Sequence, residues 1–276
     1  MTTLNDLHSI SSTFSNTDKM PVLFLGHGSP MNAIEENQFV AGFRNLAKTL
    51  PQPNAILCIS AHWFTNGTKV TSMQMPRTIH DFGGFPQALF DVQYPAKGSP
   101  ELAAETKKIL EPVLVDLDEH WGLDHGAWSV IKHLYPQANV PVIQLSIDYT
   151  KSGQYHFELA QKLQSLRHKG VLIIGSGNIV HNLRLVDFRN FDKDNYGFDW
   201  AIEARETINN YLSDGNFQPL IDFEKMNKAI QLAIPTPDHY LPLLYTLGLK
   251  EKSEDLSLFN DKLLAGSLSM TSVKIM

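Results

Sequence analysis

The 276-residue sequence contains a single cysteine, Cys58, and no apolar stretch long enough to span a membrane. One thiol excludes a disulfide framework and a thiolate zinc site, and it fits a reducing compartment. Because Cys58 lies in an apolar run, we interpret it as a small buried residue on a strand. The composition therefore predicts a cytoplasmic protein with no membrane partner.

Positive charge is also scarce, since 23 Lys and Arg stand against 29 Asp and Glu for a formal net charge of -6. These cations are not gathered into a stripe, so a nucleic-acid partner is not expected. The N-terminus is polar, rich in Ser and Thr, and has no apolar signal core. We predict a poorly ordered tail over residues 1–18 and a single domain over residues 19–276.

Four short runs rich in Val, Ile and Leu, at residues 21–25, 55–60, 140–147 and 170–174, predict strands buried on both faces. Helical spacing predicts helices over residues 35–50, 127–134, 154–167, 199–212 and 240–247, and another from Ser99-Pro100 to about Leu114. Polar and apolar residues alternate over 256–259 and 267–273, which predicts an antiparallel pair at the sheet edge. The predicted architecture is three-layer α/β/α with a mixed central sheet.

Four histidines follow predicted strands or loops: His27 in Gly-His-Gly-Ser-Pro, His62 in Ser-Ala-His-Trp, His181 in Gly-Asn-Ile-Val-His, and His239 in Thr-Pro-Asp-His. In open α/β sheets, ligands collect at the carboxyl ends of the strands. Imidazoles repeated at that rim suit a first-row transition metal. Each histidine alone could equally be a packed residue satisfied by one hydrogen bond, so the prediction depends on the set.

Local patterns indicate how His239 could be presented. Thr236 to His239 predicts an N-cap followed by the first three helical positions, with Pro237 at the first of them. The positive end of the helix dipole would then keep the imidazole neutral and able to bind a metal. The alternative is that Asp238 is an ordinary first-turn acid and His239 an exposed residue.

A glycine turn precedes His181. The third glycine of the dinucleotide-binding pattern is replaced by Val180, so we favour a turn that presents Asn178 and His181 to the rim. Asp124 predicts a helix cap with His125 pointing into the cleft.

The segment from His80 to Pro86 is rich in aromatic and glycine residues. It has the composition of a mobile loop that could close over a flat substrate. We therefore take Phe82 and Phe85, together with Asn178, as candidate substrate contacts.

As an ordered set, these segments resemble the class III extradiol ring-cleavage dioxygenases, the LigB-type family, and within it the bacterial and plant 4,5-DOPA dioxygenase branch. The resemblance covers most of the chain and is carried by residues 26–30, 60–63, 80–86, 123–126, 175–182 and 236–239. It implies an enzyme whose single domain opens the ring of a catechol, such as DOPA, with dioxygen.

The resemblance also implies the site residues. A non-haem divalent metal would be bound by His27, His62 and His239. His181 would be the acid/base beside the metal, touching it when no substrate is present, and His125 would line the substrate side. Either His125 or His181 would donate the proton as the ring opens.

The chain departs from the family pattern at two points. Protocatechuate-cleaving relatives use two His and one carboxylate, the set typical of oxygen-activating Fe(II). Here the third position is His239, and an all-imidazole site also accommodates zinc, although ring cleavage needs Fe(II) because zinc has no accessible second oxidation state. The sequence Asn182-Leu183-Arg184 differs from the plant pigment-forming enzymes, so a pigment-pathway role is not implied.

Two other functions remain open from the sequence. In a zinc-dependent hydrolase the metal would lower the pKa of a bound water, and His181 would move protons. Such an enzyme usually also needs a positioned carboxylate, and no Glu adjoins a rim histidine in the sequence. The other alternative is a metal-containing protein that binds aromatic ligands. The physiological catechol, the ring bond that is cut and the oligomeric state do not follow from the sequence.

Overall fold

The computed structural model describes residues 17–276, so the predicted tail lies almost entirely outside the described residues. Within that range the strands are β1 (Val22–Gly26), β2 (Ala55–Ser60), β3 (Phe64–Thr65), β4 (Thr68–Thr71), β5 (Val115–Asp118), β6 (Val142–Gln144), β7 (Ile147–Asp148), β8 (Val171–Gly177), β9 (Leu256–Phe259), β10 (Leu263–Leu264), β11 (Leu268–Ser269) and β12 (Ser272–Ile275). Three of the four predicted buried strands match β1, β2 and β8 closely.

The helices lie between and after these strands. They are α1 (Gln38–Ala47), α2 (Gln87–Phe90), α3 (Pro100–Ile109), α4 (His125–Leu134), α5 (Gly153–Lys162), α6 (Gln164–Arg167), α7 (Asp199–Ser213), α8 (Gln218–Ile221), α9 (Lys228–Ala233) and α10 (Leu241–Gly248). Short 3-10 turns occur at Pro30–Ala33, Leu183–Leu185, Phe188–Asn190 and Phe223–Lys225. No helix among residues 17–276 is long and apolar enough to cross a membrane.

The central sheet has the strand order β6-β2-β8-β1-β12-β9. The strands β6, β2, β8 and β1 run parallel, whereas β12 and β9 add an antiparallel edge. The predicted mixed sheet with a C-terminal antiparallel pair is therefore confirmed. The second strand of this C-terminal pair, β12, lies at 272–275 and not at the predicted 267–273. It is mostly buried because it lies between β1 and β9.

Alternate residues of the sheet face two separate cores. On β1, Val22 and Phe24 pack into the core that contains α5, α7 and α10, while Leu23 and Leu25 pack into the core beneath α1 and α4. All four side chains are fully buried. A strand covered on both faces has no polar alternation, which is why these runs are recognisable in the sequence.

The predicted helix caps are confirmed at two positions. The Ser99 side chain accepts a hydrogen bond from the Leu102 N–H, and Asp124 accepts one from the Ala127 N–H. The N-cap predicted at Thr236 is wrong. A hydrogen-bonded turn from Pro237 to Tyr240 comes first, and the helix begins only at Leu241. His239 therefore lies in the turn that precedes α10 and not in its first helical turn.

Two other predicted elements are divided in the structure. The run at 140–147 forms β6 and β7, because the Leu145 N–H still bonds to Cys58 of β2 whereas the Ile147 N–H bonds to Trp63 beyond the strand end. The helix predicted at 154–167 is broken at Leu163 into α5 and α6.

A buried ion pair connects α6 to the segment before β1 and to the segment after α10. The Arg167 guanidinium is fully buried, bonds to the carbonyls of Met20 and Leu249, and forms an ion pair with Glu254. Burial alone would raise the pKa of Glu254, but hydrogen bonds from Arg167, the Glu251 N–H and Lys19 together outweigh it and lower the pKa to about 2. A guanidinium with several acceptors is the form in which a charge can be buried.

We expect Arg167→Met to lower the free energy of unfolding by about 3–5 kcal/mol. The change removes the buried cation from the Glu254 carboxylate, which keeps only its pair with Lys19, and it leaves the Met20 and Leu249 carbonyls without their donor. Urea denaturation measures the change. The control is Arg44→Met, which breaks the exposed pair with Glu36 and should change the stability little. A loss below about 1 kcal/mol for Arg167→Met would contradict the assigned role.

Candidate metal centre

Histidines converge where the adjacent parallel strands β2, β8 and β1 end. His27 follows β1 directly, and His62 comes two residues after the end of β2. The His27 N–H bonds to Gly177 at the end of β8, and the Ala61 N–H bonds to Ser176 of the same strand. A cavity of about 670 Å³ opens at this edge and is lined by His27, His62, His125, His181 and His239. The structure thus brings together all five predicted histidines.

Hydrogen bonding fixes the tautomer of His27. Its Nδ1 lies 3.0 Å from the Ser176 hydroxyl oxygen, and that hydroxyl donates its own proton to the Gly126 carbonyl at 2.5 Å. The hydroxyl can therefore only accept from His27, so the imidazole proton is on Nδ1. Burial first, and then the neighbouring imidazoles, hold the pKa of His27 well below its usual value. The Nε2 lone pair is consequently available to a metal.

His62 is held in the same way by a carboxylate. Its Nδ1 lies 3.2 Å from Oδ2 of Asp81, which favours a proton on Nδ1. The Nε2 atoms of His62 and His27 then face one another at 3.3 Å, each with a lone pair. Two nitrogens bound to one tetrahedral ion at the usual distance of roughly 2.1 Å stand about 3.4 Å apart. The pair therefore fits a shared cation.

Asp81 also contacts His125. Its Oδ1 accepts a hydrogen bond from the His125 backbone N–H at 2.9 Å and lies 3.0 Å from Nδ1 of the same residue, at an angle too bent for a regular hydrogen bond. Burial alone would raise the pKa of Asp81, but its contacts with His125 and His62 outweigh burial and lower it. One ionised carboxylate thus orients two imidazoles of the site.

Two histidines compete for the third position beside His27 and His62. The candidate ligand atoms of His27, His62 and His125 all lie within 4.8 Å of one another. The His239 ring is the more symmetric alternative, because its centroid lies 5.2 Å from that of His27 and 5.1 Å from that of His62, which are themselves 5.1 Å apart. Asp238 is bound to Nδ1 of His239. Both candidates therefore have a carboxylate behind them.

His181 stacks on His239. The two ring centroids are 3.6 Å apart and the planes differ by 9°. Burial, with a smaller contribution from His239, lowers the pKa of His181 to about 3. At neutral pH the imidazole is uncharged and can accept a proton.

Close packing of α4 against the strand ends requires a glycine. A Cβ on Gly126 would lie 2.5 Å from the Ser60 hydroxyl and 2.7 Å from Cδ2 of His62. The same residue supplies the carbonyl that binds Ser176. Gly126 thereby allows the start of α4 to approach His62 and fix the His27 tautomer.

A second carboxylate lies beneath the site. Asp124 is fully buried and accepts hydrogen bonds from Ser60, Gln144 and Trp121 in addition to capping α4. Burial, followed by the charge of Asp81, raises its pKa, which these donors partly offset. Its acceptors are all engaged, so Asp124 serves to hold β2 and α4 together.

Apolar side chains form the remainder of the cavity. We call the following set the apolar wall: Phe82, Phe85, Leu183, Val186, Phe188 and Phe191. The predicted contacts Phe82 and Phe85 do line the cavity, and the Phe82 ring meets that of His125 edge-on at 5.4 Å. The segment from Leu183 to Phe191 was missed, because its residues show no periodic pattern in the sequence.

The structure places the third predicted contact, Asn178, outside the cavity lining. Its side chain is buried, donates to the Ser269 carbonyl at 2.7 Å and accepts from the Gly28 N–H at 3.3 Å. Its own N–H bonds to the His239 carbonyl. With both ends of the amide in use, Asn178 links the His27 loop to the His239 turn and is not free to bind a substrate.

Two acidic residues of the lining were also missed. Asp81 directly follows His80 in the sequence, and an acid in a histidine-containing loop was the available signal. The sequence argument against a hydrolase considered only a Glu next to a rim histidine, and the structure adds an aspartate, Asp81, that contacts two of these histidines. His80 itself points away from the other five histidines, because its Nε2 donates to the Val92 carbonyl at 2.9 Å. Glu35 lines the cavity beyond the turn that follows His27.

The arrangement has known counterparts. The family model described as the catalytic LigB subunit of aromatic ring-opening dioxygenase matches residues 21–268. This chain belongs to the LigB family. The predicted extradiol dioxygenase is thus confirmed at the level of the family.

Individual proteins are similar to this LigB protein over most of its length. It is 46% identical over 270 residues to a protein of Escherichia coli K12 named 4,5-DOPA dioxygenase extradiol, covering 96% of this chain and 98% of the relative. A protein of the same name from Beta vulgaris is 34% identical over 91% of this chain and 94% of its own length. The crystal structure of an uncharacterized E. coli K12 protein has a TM-score of 0.81 at 42% identity, covering 94% of this chain and all of that one (100%).

Removing the shared carboxylate should loosen the metal centre. We expect Asp81→Ala to weaken Zn(II) affinity by about 10–100-fold, as for other residues that orient metal-binding histidines. Asp81→Asn should have a smaller effect, since it can still accept from the His125 N–H. Competition against a chelator measures the affinity.

The matched control is Asp91→Asn, which changes an exposed carboxylate at the end of α2 that accepts a side-chain hydrogen bond only from Gln87. It should bind zinc as the unaltered protein does. Unchanged affinity in Asp81→Ala would show that Asp81 does not orient the ligands.

Proposed function

We propose that this protein opens the ring of a catechol with dioxygen at a single non-haem metal ion. The observation that carries the proposal is the approach of the two Nε2 lone pairs of His27 and His62 at 3.3 Å, beside a cavity with aromatic walls. The metal end of such a cavity would bind the two hydroxyl oxygens, and the Phe side chains would pack against the ring.

For the metal we propose His27, His62 and His239 as ligands. The nearly equilateral triangle of their ring centroids, at 5.1–5.2 Å, supports three imidazoles around one ion. Asp238 and Asp81 supply the carboxylates that usually hold metal-binding histidines. In this assignment His125 remains on the substrate side, where Phe82 packs against it. The four-imidazole alternative adds His181 as a ligand before substrate enters.

When bound, Fe(II) would polarise the catechol oxygens and relay electrons to dioxygen, whereas Zn(II) could only polarise. The protein moves the protons. A ring nitrogen of His181, which is uncharged at neutral pH, would accept the proton of a catechol hydroxyl that the metal makes more acidic. His125, held by the Asp81 carboxylate, is placed to donate a proton on the substrate side. The apolar wall excludes water from the ring.

The hydrolase alternative has less support. Of the two carboxylates that line the cavity, Asp81 has its oxygens directed at His62 and His125. Glu35 lies beyond the turn that follows His27 and forms no hydrogen bond with any of the five histidines.

The substrate class we propose is a catechol with a short side chain, as the names of the relatives indicate for those proteins. We further propose that residues 19–276 are one catalytic domain located in the cytoplasm, where the buried thiol of Cys58 would stay reduced.

Metal retention distinguishes the two candidate ligand sets. We expect His27→Ala, His62→Ala and His239→Ala each to lose most of the roughly one metal ion per chain, because each removes a ligand. His125→Ala should retain it and lose activity instead. Elemental analysis of the purified variants gives the metal content. Retention in His239→Ala together with loss in His125→Ala would assign the third ligand to His125.

Reconstitution tests the activity. Protein loaded anaerobically with Fe(II) should consume dioxygen and form a yellow ring-opened product from a substituted catechol, while the zinc form should be inactive. His181→Ala should keep most of its metal but lose on the order of 10²–10⁴-fold in kcat, the usual contribution of a positioned acid/base. Equal turnover with zinc, or ester hydrolysis without oxygen uptake, would favour the hydrolase.

A further inference from the structure

The charge of the cavity lining is one-sided. Apart from the histidines, the ionisable side chains that line the cavity within residues 17–276 are Asp81 and Glu35, and neither Lys nor Arg is among the lining residues. The sequence of residues 1–16 contains no Lys or Arg either. A ligand in this cavity therefore meets carboxylates, imidazoles, the Ser29 hydroxyl and apolar side chains, and it meets no Lys or Arg among the lining residues.

Of the two carboxylates, Glu35 is the one open to a ligand. Asp81 is engaged by His62 and His125, whereas the exposed Glu35 side chain has no ion-pair partner among the described residues. The next residue, Glu36, is bound by Arg44.

Cations near this part of the cavity are committed elsewhere or directed away from it. Lys132 donates to the Ala33 carbonyl at 2.8 Å, and Arg44 is bound to Glu36. The segment that carries part of the apolar wall also contains Arg184 and Arg189, but these two side chains are exposed and do not line the cavity. A carboxylate on the ligand would therefore have no Lys or Arg partner among the residues that line the cavity.

From this lining we infer that the cavity selects catechols whose side chain ends in an ammonium group over catechols of equal length that end in a carboxylate. The inference rests on the proposed function, since it assumes that the diol occupies the metal end. An ammonium group would lie near the unpaired Glu35 carboxylate. A carboxylate would be repelled by Glu35 and would lose water against the apolar wall, and no Lys or Arg of the lining would replace that water.

Three catechols that differ only at the end of the side chain test the selection: aminoethyl-, ethyl- and carboxymethyl-catechol. With the Fe(II) enzyme we expect kcat/KM for the amine to exceed that for the carboxylate by about tenfold or more, with the ethyl compound between them. Glu35→Gln should reduce the amine-to-ethyl ratio by about threefold, the size expected for an exposed ion pair. Glu35→Lys should reduce the amine-to-carboxylate ratio further, by about tenfold.

The control is Asp91→Asn, which removes an exposed carboxylate outside the cavity lining without releasing a cation. It should leave the ratios between substrates as they are. The inference is overturned if the unaltered enzyme prefers the carboxylate compound, above all if Arg184→Gln or Arg189→Gln removes that preference. It is also overturned if neither Glu35 variant changes any ratio.

Binding measurements separate this inference from the proposed activity. Dissociation constants of the three catechols for the Zn(II)-loaded protein under nitrogen need no turnover and should follow the same order. Absence of oxygen uptake with every catechol, together with amine-selective binding that depends on Glu35, would reject the dioxygenase and retain the selection. Oxygen uptake together with equal binding of all three catechols would reject the selection and retain the dioxygenase.

Discussion

The site depends on the placement of two protons. Ser176 and Asp81 keep the protons of His27 and His62 on Nδ1, and this directs both Nε2 lone pairs to the same point. The lone pairs repel one another unless a cation lies between them, so the scaffold must hold them there. That support comes from adjacent parallel strands: His27 and His62 follow β1 and β2, and Ser176 belongs to β8 between them. The packing of the sheet is thus what stabilises an otherwise unfavourable pair.

Carboxylates supply the next layer of that support. Asp81 connects a loop to His62 and His125, Asp238 holds His239 from its neighbouring position, and Asp124 joins β2 to α4 from below. Each lies on a different segment of the chain. Orientation of the histidines is therefore distributed, and no single loop determines it. Beyond these carboxylates and histidines, the cavity is lined mainly by the apolar side chains of the apolar wall.

Much of this was accessible from the sequence. The strands β1, β2 and β8 are recognisable because both of their faces are buried, and the Asp124 cap fixes the start of α4 within two residues of the prediction. All five rim histidines were identified.

The role of Asp81 could not be predicted from the sequence, because it depends on how the loop after His80 folds back on α4. Asn178 was misjudged since a buried amide and a ligand-binding amide look alike in a sequence. The turn before α10 was also missed, as Pro237 is equally compatible with a turn and with a first helical position.

Gly126 limits the substitutions that the metal side of the cavity can accept. Because any side chain there would collide with both Ser60 and His62, no single substitution at this position can enlarge or reshape the metal side of the cavity. A side chain at position 126 would require coordinated changes at Ser60 and His62, whereas the segment from Leu183 to Phe191 is half exposed and can accept single replacements. Single replacements in this scaffold can therefore alter the mouth of the cavity, whereas replacement of Gly126 would disturb the histidines at its base.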